Sequence, residues 1–457
     1  MKFANHSRTL SSSCSLFLAF CTWIVLGTPA QASTTAQQFF FFPCDSTGKV
    51  CPSGATPSAL IESADGNFYG TTVYGGTGNL AAGTVFRLTP TGQLTTLFTF
   101  VADQNGNYPN GANPGGVIEG NDGFLYGSTT AGGANKTGAI FKLSKTGAFK
   151  IIHIGGASDL TLGRDGKLYG FGPDSLSNIA IVRITTSGSY TVLHTLVAKT
   201  DGIYPGGLIL GSDGNLYGTT IDAEAAKITS LFCITPSGQF TVLQQIHYGQ
   251  FLVSPPVQSE NGHIYAGLDF VVQNNGSLPP GLLEHDLSGT GSELIMLPYA
   301  VQQWMGQIIE ASDGNFWGAR AGTFNPPTES AIVSFTHAGT AVQQINFSGY
   351  DLIQASDGRV LGLAGNEIFA IVPALPAPKP LFVTPGASSG AVGSKVMIHG
   401  VRFVGTTRVT FNGVSAVFKV LNTGNIVATV PAGATTGPVA VTNAGGTGES
   451  LENFAIQ

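Results

Sequence analysis

The sequence predicts an all-β protein with two domains: a seven-bladed β-propeller closed by an N-terminal strand, followed by an immunoglobulin-like β-sandwich. Three observations lead to this prediction. A short motif recurs seven times, and each repeat contains four strand-like segments. After a proline-rich stretch that ends at Pro380, the repeated motif disappears and short Val-rich segments alternate with glycines. Many short strands joined by tight turns are typical of such folds.

The composition supports this fold class and excludes several others. The 457-residue chain contains 63 Gly and 24 Pro, and only 10% of its residues are charged, against about 25% in typical domains. Hydrophobic residues make up 42%, which is enough for a core. These values exclude a coiled coil, a charge-rich disordered protein and a nucleic-acid binder that needs a basic face.

Residues 1–32 have the features of a secretory signal peptide. Lys2 and Arg8 precede an apolar run, 16–27, that is too short to span a bilayer, and residues 30–32 form a small-x-small cleavage site. We therefore expect a secreted or cell-surface protein that begins at Ser33. No later segment of the sequence is apolar for long enough to act as a membrane anchor.

Removal of this leader changes the charge and the cysteine count. The remaining chain has 18 basic and 26 acidic residues. Its net negative charge gives no electrostatic attraction to nucleic acid or anionic lipid. Cys44 and Cys51 flank a short loop and are expected to form a disulfide in an exported protein. Cys233 lies in an apolar strand pattern and is expected to be a buried thiol.

The recurring motif is a turn followed by an aromatic and a small residue. Its copies begin at Asp65, Asp122, Asp165, Asp213, Asn261, Asp313 and Asp357. The starts are separated by 57, 43, 48, 48, 52 and 44 residues, which is the range of four-stranded propeller blades. Asp-Gly is a strong hairpin signal because its turn needs a positive φ.

Each repeat contains the four strands of one antiparallel meander. In the first repeat these are the apolar stretch around Leu60, the strand that holds Tyr69, the segment 83–92 and the segment 97–100. Seven meanders make a ring. The seventh repeat stops at Pro373 without a fourth strand, while an orphan apolar strand, 39–42, precedes the first. Pairing of these two segments would close the ring and leave no open edge.

The repeats resemble the GloVer family of tandem repeats, found in secreted bacterial proteins. The resemblance is carried by the DGNLYGTT core at 213–220, the Gly-Gly loop after Tyr74 and the GTVFRLTP strand from Gly83. It covers about residues 58–372 and is close in repeats 1, 2 and 4. It implies a repeat architecture, usually exported, and no activity. We assign residues 33–372 to the propeller.

A second domain is expected over residues 380–457, after a proline-rich linker at 373–379. About seven short Val-rich strands alternate with Gly turns there, which is the strand count of an immunoglobulin-like sandwich. These residues resemble the IPT/TIG domain, including the terminal Asn453-Phe454. In bacterial surface proteins this resemblance implies a spacer or an adhesive module.

Two repeated residue types are expected to be structural. The Asp of each turn precedes Gly directly, so we expect it to bond its own backbone rather than a cation. One aromatic residue recurs in each of six repeats and is expected to pack between blades: Tyr69, Tyr126, Tyr169, Tyr217, Tyr265 and Trp317.

Acidic and amide side chains precede most turns by three residues. They are Glu62, Glu119, Gln258, Glu310 and Gln354. The innermost strand of a blade lines the channel, so the three Glu residues could ring a channel mouth and hold calcium or magnesium through oxygen ligands. The alternative is that they are solvated or hydrogen-bonded ends of the inner strands.

Aromatic residues also recur in the loops that lead from one repeat to the next. They are Tyr108, Tyr204, Tyr248, Trp304 and Tyr350. Gathered on one face, they would suit sugar rings or peptide side chains, and Trp304 is the best single candidate. The alternative is that they fill gaps between blades.

These features favour a non-catalytic, exported binding or adhesion protein of the bacterial cell surface or secretome. It would be a monomer that binds an extracellular polysaccharide or surface protein and needs no cofactor. No nucleophile elbow, HExxH motif or phosphate-binding Gly loop occurs in the sequence. His153 and His194 share a repeat position that holds Phe98 in the first repeat, so they mark no catalytic site.

Two alternatives stay open. One is a propeller lyase or hydrolase that acts on polysaccharide or peptide, with a divalent metal on the ring of Glu62, Glu119 and Glu310. The other is a structural component of a surface array with no ligand.

Overall fold

The computed structural model describes residues 35–457 except 49, 223–227, 248–249, 253, 260, 271–280, 288–290, 298–306, 312, 321–329, 372–380, 387, 402, 404, 423–424 and 444–445. Every regular element of these residues is a β-strand, and they contain no helix with the length and apolar character needed to cross a membrane. The predicted all-β fold is confirmed. The expected leader and the proline-rich linker lie outside the described residues.

The first strand, β1 (Ala36–Phe41), joins the last sheet of the ring, and the next sixteen strands form four consecutive four-stranded sheets. Sheet 1 contains β2 (Ala55–Glu62), β3 (Phe68–Tyr74), β4 (Thr84–Leu88) and β5 (Leu94–Thr99). Sheet 2 contains β6 (Ala112–Glu119), β7 (Leu125–Ala131), β8 (Ala139–Leu143) and β9 (Phe149–Ile154). Sheet 3 contains β10 (Ser158–Leu162), β11 (Leu168–Pro173), β12 (Ile179–Ile184) and β13 (Tyr190–Thr195). Sheet 4 contains β14 (Tyr204–Leu210), β15 (Leu216–Asp222), β16 (Ile228–Ile234) and β17 (Phe240–His247).

Three further sheets follow in chain order. Sheet 5 contains β18 (Gln250–Leu252), β19 (Val257–Gln258), β20 (Ile264–Phe270), β21 (Gly281–Asp286) and β22 (Gly291–Met296), with β18 and β19 both paired to β20. Sheet 6 contains β23 (Ile309–Glu310), β24 (Phe316–Arg320), β25 (Ala331–Phe335) and β26 (Ala341–Ile345). Sheet 7 contains β27 (Tyr350–Gln354), β28 (Val360–Ala364), β29 (Glu367–Ile371) and β1.

Each sheet is an antiparallel meander whose first hairpin is closed by the repeated turn. In sheet 1, the N–H of Gly66 donates to Ser63 O at 2.8 Å and the N–H of Ser63 donates to Asn67 O at 2.9 Å. Gly66 has a φ of +79°, whereas Asp65 does not have a positive φ. The turn is therefore a three-residue loop that needs a left-handed residue only at its glycine.

The repeated aromatics pack each sheet against the next, as predicted. Each buried ring shares a hydrophobic cluster with the first residue of the second strand of the following sheet, and Leu361 takes the aromatic position in sheet 7. The pairs are Tyr69 with Leu125, Tyr126 with Leu168, Tyr169 with Leu216, Tyr217 with Ile264, Tyr265 with Phe316, Trp317 with Val360 and Leu361 with Phe68. Because the last pair joins sheet 7 to sheet 1, the sheets close into a ring, which is a β-propeller.

The N-terminal strand completes sheet 7. β1 pairs antiparallel with β29, with Gln37 opposite Ala370 and Phe41 opposite Glu367. Just after this strand, Phe42 is fully buried and belongs to the cluster between sheets 7 and 1. The strand thus starts three residues earlier than the Phe-rich segment predicted from the sequence, and it closes the ring as expected.

The C-terminal domain is a two-sheet sandwich. Its strands are β30 (Leu381–Pro385), β31 (Ser389–Gly390), β32 (Lys395–Val401), β33 (Arg408–Phe411), β34 (Val414–Ser415), β35 (Val417–Asn422), β36 (Asn425–Thr429), β37 (Gly437–Asn443) and β38 (Gly446–Ile456). They form the sheets β30-β32-β36-β35 and β31-β38-β37-β33-β34. Ile398, Ile426, Val409 and Val441 meet in the core between the sheets.

Candidate functional site

The two ends of the ring differ in structure. The turns after the first and third strands of each sheet lie at one end, the turn face. The loops between second and third strands, and the connections between sheets, lie at the other end, the loop face. Hydrogen bonds align neighbouring sheets there: Tyr108 donates its hydroxyl to Leu80 O at 2.9 Å, and Asn366 Oδ1 accepts the N–H of Thr56 at 2.8 Å.

The loop face carries most of the exposed large apolar side chains of the described residues. Thirteen such side chains are exposed, and these eight lie at the loop face: Phe41, Val50, Tyr74, Leu80, Ile154, Leu176, Val197 and Tyr204. Leu176 is 80% and Leu80 63% exposed. These side chains belong to the loops and strand ends of five sheets, and exposed apolar side chains of this kind mark an interaction site where they form a contiguous patch.

The predicted loop aromatics have different environments. Tyr204 starts β14 and is 45% exposed, so its ring can meet a ligand. Tyr108 is bonded to the loop of sheet 1, and Tyr350 is half-buried and donates its hydroxyl to Pro57 O at 3.0 Å between sheets 7 and 1. Tyr248 and Trp304 lie outside the described residues. The alternative, that the loop aromatics fill gaps between blades, therefore fits Tyr350. It fits Tyr108 in part, because the hydroxyl of Tyr108 is bonded to a neighbouring loop.

Two exposed aromatic residues of the loop face, Phe41 and Tyr74, were not among the predicted loop aromatics. Tyr74 ends β3 at the loop face and is 57% exposed. It belongs to the strand rather than to a connection between repeats, so a search restricted to those connections passes over it. The Gly75-Gly76 pair that follows it was the available signal, because such a pair marks the end of the strand.

The loops around these side chains are held in place by tight backbone packing. Cys44 and Cys51 are joined by a disulfide in the connection from β1 to β2. The N–H of Gly76 donates to Cys51 O at 2.8 Å. Gly75 has a φ of +75°, and a Cβ there would lie only 2.8 Å from Cys51 O. Glycine at this position therefore lets the loop of sheet 1 rest on the disulfide loop.

At the turn face, the candidate channel residues contact the turn of the preceding sheet. Glu119, at the end of β6, accepts hydrogen bonds from Ser63 Oγ at 2.7 Å and from the N–H of Ala64 at 2.9 Å. Lys145 Nζ lies 2.5 Å from Glu119 Oε1 and donates to Ser63 Oγ at 2.6 Å. Burial alone would raise the pKa of Glu119, but the bonds from Lys145, Ala64 and Ser63 outweigh it and lower that pKa.

Glu62 and Glu310 occupy the same position in sheets 1 and 6. Glu62 accepts the N–H of Ser356 in sheet 7 at 2.6 Å, and Ser356 Oγ as a second donor. Glu310 Oε1 lies 2.8 Å from His337 Nε2, which is also 2.7 Å from Ser259 Oγ in sheet 5. Glu62 and Glu119 therefore join adjacent sheets directly, whereas Glu310 reaches sheet 5 through His337 of its own sheet; these contacts are in line with the alternative of hydrogen-bonded strand ends.

The described residues do not bring a metal-ligand set together. No group of three or more His, Cys, Asp or Glu side chains in this part of the chain is arranged to hold a metal ion. The turn aspartates are occupied locally: Asp65 accepts the N–H of Asn67 at 3.0 Å and the hydroxyl of Tyr69 at 2.8 Å. Burial of Asp65 is outweighed by these bonds, so its pKa is lowered.

The histidines of the outer strands stack on the next sheet. His153 lies on the ring of Tyr190 with centroids 4.6 Å apart, and His194 on Phe240 at 3.9 Å. Phe98 stacks in the same way on the ring that starts the fourth strand of sheet 2, at 4.0 Å. The shared position predicted from the sequence is thus a ring-stacking position between sheets.

Comparison with known families agrees with these observations. Residues 31–170 match the family model of the Gloeobacter/Verrucomicrobia repeat, and residues 381–456 match that of the IPT/TIG domain. Both resemblances inferred from the sequence are confirmed over these segments. No curated protein matches the chain.

Solved structures show the same ring architecture. Streptogramin B lyase is similar with a TM-score of 0.51 at 18% identity, over 75% of this chain and 99% of that one. Kuenenia stuttgartiensis hydrazine synthase is similar with a TM-score of 0.50 at 14% identity, over 72% and 99% of the two chains. At these identities the likeness concerns the fold alone, because propellers host unrelated functions.

Proposed function

We propose that this protein is an exported, non-catalytic binding protein that holds a protein partner on the loop face of its propeller. The observation that carries this proposal is the group of eight exposed apolar side chains at that face. Removal of this apolar surface from water lowers the free energy, and a bound partner is what would cover it.

The chemistry of the loop face favours a protein partner over a polysaccharide. Six of its eight exposed apolar residues are aliphatic or Phe, and only Tyr74 and Tyr204 carry a hydroxyl. Aliphatic side chains bury against the apolar surface of another protein, whereas sugar rings need aromatic platforms with polar groups around them. These apolar contacts need no calcium or magnesium, the metals on which the alternative enzyme hypothesis relies.

The position of the C-terminal domain supports the same assignment. The N–H of Gly405 in that domain donates to Ser356 O, in a turn of sheet 7, at 3.1 Å. This contact is at the turn face, so the IPT/TIG domain leaves the opposite face open. It would act as a spacer between the propeller and the surface to which the protein is attached.

Site-directed photo-crosslinking on the exported protein tests this assignment. A photoreactive amino acid replaces Leu176, which is 80% exposed at the loop face, and in a control replaces Val192, which is 40% exposed in the middle of β13 of the same sheet. Intact cells of the producing bacterium supply the partner. We expect a discrete protein adduct from the Leu176 position and none from Val192.

Equal adducts from both positions, or none from Leu176, would contradict the proposal. A polysaccharide array probed with the same protein provides the second arm. A saturable hit that is lost in the Tyr74→Ala and Tyr204→Ala variants would replace the protein partner by a carbohydrate.

A further inference from the structure

The C-terminal domain exposes large apolar side chains on one of its two sheets, β30-β32-β36-β35. Val417 of β35 is 80% exposed and Met397 of β32 is 37% exposed. Their neighbours along the two strands, Phe418 and Ile398, pack into the core of the sandwich instead. Because side chains alternate between the two sides of a strand, Val417 and Met397 lie on the outer side of this sheet, which we call the sheet face.

Two lysines flank these apolar side chains. The strand register places Met397, Val427 and Lys419 in one row across three strands. The neighbouring row runs from Lys395 in β32 to Val417 in β35. Lys395 and Lys419 are both exposed. The sheet face is therefore an apolar surface with a lysine at each of two diagonally opposite positions.

The charge of the chain is divided unevenly between its two domains. Residues 380–457 contain four basic and two acidic side chains, whereas residues 33–372 contain 13 basic and 24 acidic ones. The two acids of the C-terminal domain, Glu449 and Glu452, both belong to β38 of the opposite sheet. The sheet face is thus a cationic surface on a chain whose larger domain carries a net negative charge.

The loop face combines its exposed apolar side chains with carboxylates. Asp174 accepts the N–H of Leu176, the most exposed side chain of that face, at 2.8 Å. Asn79, which precedes the exposed Leu80, donates its side-chain amide to Asp103 O at 3.3 Å. Amide N–H groups of their own loops bond the carboxyls of Asp103 and Asp174 and lower the pKa of both. Each therefore keeps its negative charge beside an exposed leucine.

The sheet face and the loop face are complementary, but they belong to different ends of one molecule. The bond from the N–H of Gly405 to Ser356 O ties the C-terminal domain to the turn face. The loop face lies at the other end of the ring. A contact between these two surfaces therefore joins two copies of the chain.

We propose that the protein partner of the loop face is the sheet face of a second copy of this chain, an inference that rests on the proposed function. The apolar centre of the sheet face covers exposed apolar side chains of the loop face, while its two lysines meet the carboxylates there. The contact is head-to-tail, so each copy can hold two neighbours. Because both patches are small, the contact is weak, and the monomer expected from the sequence is the state in dilute solution.

Sedimentation of the exported protein tests this proposal. We expect the weight-average mass to rise at least about twofold between about 1 µM and about 200 µM protein. Raising the NaCl concentration from about 0.05 M to about 0.5 M should weaken the association at least about fivefold, because salt screens exposed charges. A mass that stays at the monomer value over this protein range overturns the proposal.

Two half-blocked variants identify the surfaces. The loop-face variant carries Leu80→Lys and Leu176→Lys, and the sheet-face variant carries Lys395→Glu and Lys419→Glu. All four side chains are exposed, so both variants should fold. Each variant alone should remain a monomer. An equimolar mixture should form dimers and no larger species, because only the sheet face of the first variant and the loop face of the second stay intact.

Val192→Lys, in the middle of β13 and away from both surfaces, is the control and should associate like the wild type. Self-association of either half-blocked variant, or a mixture that stays monomeric, contradicts the proposal. The photo-crosslink from Leu176 separates this question from the proposed function. An adduct with a different protein, beside a monomeric wild type, refutes self-association and leaves the proposed function standing. A monomeric wild type without any adduct refutes both.

Discussion

The hydroxyl of Tyr217 donates a 2.8 Å hydrogen bond to Asp213, the aspartate of its own turn. The same contact recurs around the ring: Tyr69 to Asp65, Tyr126 to Asp122, Tyr169 to Asp165 and, through the indole N–H, Trp317 to Asp313. Asp213 also accepts the N–H of Asn215 at 3.0 Å. A single carboxylate therefore fixes the turn and satisfies the polar atom of a ring buried between two sheets.

Removal of the hydroxyl tests the value of this contact. Tyr217→Phe keeps the ring in the interface but removes its charge-assisted bond to Asp213, which keeps Asn215 as a partner, so we expect a loss of about 1.5–3 kcal/mol in the free energy of unfolding. Urea denaturation gives this difference. Tyr204→Phe, at the exposed loop face, is the control and should change stability by no more than about 0.5 kcal/mol. Equal effects of the two substitutions would show that the bond contributes nothing.

The sequence predicted the fold because the fold depends on features that repeat. The Asp-Gly turns and the interface aromatics recur from repeat to repeat, and the orphan N-terminal strand matches the missing fourth strand of the seventh repeat. One interpretation therefore fits all copies. The bond between Asp213 and Tyr217 was not predicted, since it depends on the detailed geometry of the hairpin. The contacts of Glu62 and Glu119 could not be foreseen either, because they join residues that are 294 and 56 positions apart.

The ion pair between Lys145 and Glu119 should contribute more than an ordinary surface pair. Both side chains are about 20% exposed and share Ser63 as a further partner. Lys145→Met leaves a partly buried carboxylate without its cation, so we expect a loss of about 2 kcal/mol. In the double variant with Glu119→Gln, much of this loss should be recovered.

A double-mutant cycle measured by urea denaturation gives the coupling energy of this pair. We expect about 1–2 kcal/mol. The pair of Lys167 with Asp165, which is more exposed, is the matched control and should show a coupling below about 1 kcal/mol. A coupling for Lys145 and Glu119 no larger than that of the control would contradict the assigned role in joining sheets 1 and 2.

The stacking position of the outer strands should tolerate another aromatic residue better than a small one. His153 stacks on Tyr190, while Phe98 holds the same position in sheet 1 and stacks on Phe149. His153→Phe should therefore be neutral or stabilising, whereas His153→Ala should cost about 1 kcal/mol through the lost ring contact. Thermal unfolding at one pH ranks the variants. Equal destabilisation by Phe and Ala would mean that the imidazole nitrogens, rather than the ring face, matter at this position.

Asp351 predicts that the stability of the whole protein falls as pH rises. Burial raises its pKa to about 7, from an ordinary value of 3.8. The folded state therefore holds this proton to higher pH than the unfolded chain, and the associated stability is complete below about pH 4 and lost as pH rises through about 7. Asp351→Asn carries no such dependence. Between pH 5 and pH 8, we expect the wild type to lose at least about 1 kcal/mol relative to this variant in urea denaturation. A difference that stays constant over that range would mean that Asp351 is ionised throughout, with its negative charge compensated by another group of the folded protein.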